Sequence, residues 1–123
     1  MTHSRPDLSF AVGRVARYMQ THESHWKAAK IILQYIRGTI QFGIHYSTGG
    51  EPLLVGFTDL YWVDDPDDRK CTAGYVFSLG FGPVTWDCKK QQALALSSAK
   101  AEYRAAVNAS QEALWLRQIL SEF

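Results

Sequence analysis

The stretch Leu53–Lys90, LLVGFTDLYWVDDPDDRKCTAGYVFSLGFGPVTWDCKK, decides the fold. Leu53 to Asp59 is short and apolar, as a buried strand requires. Asp64-Asp65-Pro66-Asp67-Asp68 then interrupts the pattern with turn chemistry and crowded like charge, which reads as a solvent-facing loop. Thr72 to Leu79 and Pro83 to Trp86 are two further strands, and Gly80-Phe81-Gly82 between them is a hairpin signal. A hairpin centred near Phe81 carries Cys71 well past the residue opposite Cys88, so no disulfide is expected between them.

Downstream, Ser98 to Phe123 is the clearest helix, rich in alanine. Glu102, Ala106, Ala109, Ala113, Leu116 and Leu120 recur at three- and four-residue steps, which predicts a face of small side chains laid on the sheet. A glutamate at the head of that stripe has two readings: a carboxylate passing the sheet edge or capping a backbone group, or one directed into a site.

Upstream, residues 1–50 read as helices. Pro6 suits a first helical position, and Leu8, Val12, Val15 and Met19 share one face. A second helix is expected after the cap residue Thr21, with Trp26, Ala29, Leu33 and Ile36 as its packing stripe and Gly38 as its stop. Lys27, Lys30 and Arg37 form a solvated rim, and a short strand is expected over Phe42–Tyr46.

The 123 residues are enough for one core without metal or disulfide staples. Hydrophobic residues make up 46% and charged residues 20%, which argues against wholesale disorder. Thirteen basic against twelve acidic side chains leave +1, so composition gives no case for a polybasic nucleic-acid or membrane binder. No apolar run approaches the ~20 residues of a membrane span. The N-terminus has no secretory pattern, and two cysteines with four scattered histidines make neither a disulfide scaffold nor a zinc cluster. An intracellular location, cytoplasmic or nuclear, is expected.

Several blocks taken in order resemble one family. GFTDLYWVDDPDDRKCTAGYVFSLG, GPVTWDCKKQQALALSSAKAEYRAA and EALWLRQIL resemble the ribonuclease H domain of copia-type retrotransposon polyproteins. RPDLSFAVGRVARYM and HWKAAKIILQYIRGT resemble the segment joining that family's reverse transcriptase to its ribonuclease H. The resemblance implies an α/β chain: a helical connection segment over 1–50, then a partial ribonuclease H-like domain over 51–123. That domain is expected to hold a three-stranded antiparallel sheet and a long C-terminal helix.

The resemblance also implies chemistry. Enzymes of this family hydrolyse RNA in RNA–DNA hybrids with two magnesium ions held by clustered carboxylates. Residue by residue, Asp59 in GFTD and Glu102 in KAEY are the two ligands carried over. The family's second aspartate of the first block is Tyr61 here, and Lys100 stands where an acidic residue is usual. The family's two remaining metal-binding aspartates belong to blocks beyond Phe123. The expectation is therefore a C-terminally truncated, catalytically impaired interaction module; the alternative is a magnesium-dependent endonuclease. With no neighbour for the first strand, a homodimer or another protein partner is expected. Phe42–Tyr46 pairing with that strand is the competing outcome. Trp62 is a candidate for base stacking; Trp86 could do the same, but a strand tryptophan more often packs in the core or under the helix. Lys89-Lys90-Gln91-Gln92 reads as a loop edge or a phosphate contact.

Overall fold

The computed structural model describes residues 3–17, 23–47, 49, 51–61, 71–80, 82–91 and 97–123. Met19, the expected cap Thr21, Trp62, the acidic run Asp64–Asp68, the hairpin tip Phe81 and Gln92 lie outside the described residues. The chain forms two compact units, Met1–Tyr46 and Ser47–Phe123.

The first unit holds α1 (Pro6–Val15) and α2 (Glu23–Gly38). Pro6 takes the first helical position, where its missing N–H costs least. Leu8 is the buried residue of α1, at 3% exposure. Around it Arg5 ties the helices together. Its Nε and Nη2 donate to the two Asp7 carboxylate oxygens at 3.0 and 2.8 Å. Its Nη1 and Nη2 donate to the Thr39 carbonyl and hydroxyl at 3.1 and 2.9 Å. The Tyr35 hydroxyl donates to Asp7 Oδ2 at 3.0 Å. The hydrogen bonds from Arg5 hold the Asp7 carboxyl below the ordinary aspartate range, with Tyr35 adding to the effect.

Two expectations fail in this unit. Trp26 and Leu33 are exposed at 56% and 55%, while Ala28, Ala29, Ile32 and Ile36 form the half-buried side of α2. Small and β-branched residues let α1 come close, and Trp26 instead lies under the Lys30 ammonium, 5.5 Å from the ring centroid. Phe42–Tyr46 forms no strand. A strand needs a neighbour's backbone, and no described segment offers one there.

The second unit is a three-stranded antiparallel sheet in the order β1-β2-β3, with one long helix: β1 (Leu54–Tyr61), β2 (Thr72–Leu79), β3 (Gly82–Lys90) and α3 (Ser98–Leu120). Gly80 supplies the positive φ, 60°, that the tight β2–β3 turn needs. β3 runs four residues past the expected end at Trp86, through Asp87, Cys88, Lys89 and Lys90. These polar residues imitate a loop, but an edge strand tolerates charge on its open side. Cys71 and Cys88 are both free, and Cys71 is fully buried.

Register fixes the two faces of the sheet, because residues paired across antiparallel strands point the same way. Gly56 pairs with Phe77, Thr58 with Tyr75 and Leu60 with Ala73; across β2, Phe77 pairs with Thr85, Tyr75 with Asp87 and Ala73 with Lys89. This is the face α3 covers, since Thr85 Oγ1 donates to Glu112 Oε1 at 3.1 Å and α3 packs on β1 and β2. The Ser97 hydroxyl caps α3 by accepting the Lys100 N–H at 3.3 Å.

The stripe that meets the sheet is Ala101, Ala105 and Ala109, each at most 8% exposed. This corrects the expected stripe at its N-terminal end, where Glu102 and Ala106 are exposed. A one-residue shift turns a helix by about 100°, and the all-alanine row both permits the closest approach and leaves the glutamate in water. Ala113 and Leu116 stay half-buried as expected.

Phe77, 5% exposed, lies across Gly56: a β-carbon there would overlap Cε1 and sit 2.6 Å from Cδ1. Gly56→Ala is expected to lower unfolding stability by about 1–3 kcal/mol, because the covered ring has no room to move. Equilibrium urea denaturation checks it; unchanged stability would show that the ring is not confined. A second expectation follows from the lowered Asp7 pKa. Such a group stabilises the fold above its unfolded value of about 3.9, and that contribution disappears as pH falls through the lower folded value. Asp7→Asn is therefore expected to flatten the acid limb of the pH–stability curve, read by circular dichroism melts.

Candidate functional site

Asp59 and Glu102 share an end of the sheet but not a face. Asp59 sits two residues before the end of β1 and pairs with Gly74. Strand alternation puts its side chain on the face away from α3, with Phe57, Gly74, Trp86 and Cys88 in the same register set. The carboxylate is exposed, and its Oδ1 accepts the N–H of Leu60 at 2.8 Å. Glu102 lies in the second turn of α3. The start of that helix is anchored over the opposite face at the same end, where Gln91 Nε2 donates to the Ala101 carbonyl at 3.0 Å. Glu102 itself is exposed and has no hydrogen bond or ion pair among the described residues.

A magnesium pair needs several oxygens converging on one space, with both ions within about 4 Å of each other. No group of three or more histidine, cysteine, aspartate or glutamate side chains able to hold a metal ion occurs among the described residues. Asp59, on the strand face away from α3, and Glu102, exposed on the flank of α3, are two acids that no third such side chain joins into a metal-holding group among the described residues, fewer than such a pair needs. Lys100 lies two residues before Glu102 in α3, a spacing at which helical side chains do not face each other.

The polar side chains that do converge lie under α3. Between the helix and β2–β3 runs a cavity of about 740 Å³, lined among others by Tyr75, Asp87, Lys89, Tyr103, Arg104 and Asn108. Asp87 pairs with Lys89 on the strand, and that hydrogen bond raises the Lys89 ammonium pKa. Burial pushes the Tyr75 phenol up, and the nearby Glu112 and Asp87 charges push it further. Gln91 Oε1 is buried there without a hydrogen-bond partner among the described residues. Tyr75, Arg104 and Glu112 are not singled out by the sequence. The signal that carries Tyr75 is the alternation Ala73-Tyr75-Phe77, continued in β3 by Thr85-Asp87-Lys89. Trp86 is half-buried on the free face, between the two roles expected of it, and Lys89-Lys90 belong to a strand rather than a loop edge.

Comparison with known proteins agrees with this architecture. The chain is 40% identical to the Retrovirus-related Pol polyprotein from transposon RE2 of Arabidopsis thaliana, over 99% of its own length and 8% of the polyprotein. It is likewise 40% identical to the Retrovirus-related Pol polyprotein from transposon TNT 1-94 of Nicotiana tabacum, over 99% of its own length and 9% of that protein. It is 41% identical to Secreted RxLR effector protein 161 of Plasmopara viticola, over 94% of its own length and 82% of that protein. No family model and no solved structure matches it. The chain is homologous to the ribonuclease H-like region of copia-type retrotransposon Pol polyproteins. It spans less than a tenth of the polyproteins it matches. Among the described residues no helix is long and apolar enough to cross a membrane.

The electrostatics of the groove have a direct readout. Glu112→Gln removes one of the negative charges that raise the Tyr75 phenol, so its ionisation is expected to move to lower pH. Ultraviolet difference titration against Tyr75→Phe isolates that phenol; an unmoved curve would place Glu112 too far away to matter.

Proposed function

We propose that this chain is a catalytically impaired, retroelement-derived ribonuclease H-like module that works by binding protein, with a second copy as its first partner. The lack, among the described residues, of any group of three or more side chains able to hold a metal ion carries the reading. Residues 1–50 then act as the connection segment and 51–123 as the ribonuclease H-like domain. Asp59 and Glu102 keep the family's ligand positions without its metal chemistry, and the module needs no magnesium. An intracellular setting, cytoplasmic or nuclear, is supported by two free cysteines, one of them fully buried.

The second reading is a magnesium-dependent endonuclease cutting RNA in RNA–DNA hybrids. What favours it is that both acids occupy family blocks at one end of the sheet. Single-turnover cleavage of an end-labelled hybrid, in magnesium and in manganese, separates the two. The 123-residue chain is expected to cleave no faster than a chelator control, and Asp59→Asn and Glu102→Gln are expected to change nothing. A site short of its convergent oxygens cannot place both ions and the attacking water, and a misplacement of about 1 Å already costs a hundredfold in rate. Cleavage abolished by either substitution would establish the nuclease and end the noncatalytic reading.

A further inference from the structure

We draw no further inference here: the strongest candidate, the polar groove between α3 and the β2–β3 strands, belongs to the site already described, residues 92–96 that follow its Gln91 lip lie outside the described residues, and nothing in the structure shows what covers it.

Discussion

The ring of Phe77 lies across Gly56, and the arrangement of the second unit follows from that contact. Phe77 can occupy the face of β1 because Gly56 offers no side chain. With the ring laid over its neighbour rather than standing up from the sheet, the covering helix needs small residues to reach the backbone. Ala101, Ala105 and Ala109 supply them at four-residue spacing. Tyr75, tilted against Phe77 with centroids 5.6 Å apart, holds the helix open at one side, and the polar groove lies there. The register that sends Gly56 and Phe77 toward α3 also sends Asp59 the other way, since the two β1 positions differ by an odd number of residues.

That parity bears on how the family's two acid positions are presented in this chain. Sequence blocks record which residue types stand at which positions along strand and helix. Whether two acids converge depends on which face each position meets. Here the alanine row turns Glu102 into water, and strand alternation leaves Asp59 on the uncovered face.

Much of the fold was legible in the sequence where a single local signal decided the matter. β2 is bounded by the residues that turn chemistry and alternation predict, and α1 begins at Pro6 because proline fits only there. The errors fall where partners decide. β3 was cut short at Trp86, because an edge strand's polar residues look like a loop when its neighbour is not in view. Trp26 and Leu33 satisfy helical periodicity on α2, yet the packed face is the one with alanines and isoleucines, since helix contact depends on shape as well as apolarity. The α3 stripe was displaced by one position at its start for the same reason: several alanine rows run along that helix, and only the sheet selects one. For the candidate site, the identities of Asp59 and Glu102 were readable from the blocks, but their facing was not.

The noncatalytic reading is most directly tested by titrating manganese into the isotope-labelled chain and following paramagnetic broadening of its amide signals. With no metal-holding group among the described residues, Asp59, Leu60 and Glu102 are expected to broaden weakly and independently, at the same metal concentrations as other exposed acids such as Glu23 and Glu122. Joint, early broadening of the Asp59 and Glu102 signals by one tightly bound ion would contradict it, because a single metal reaches both only if they share one space.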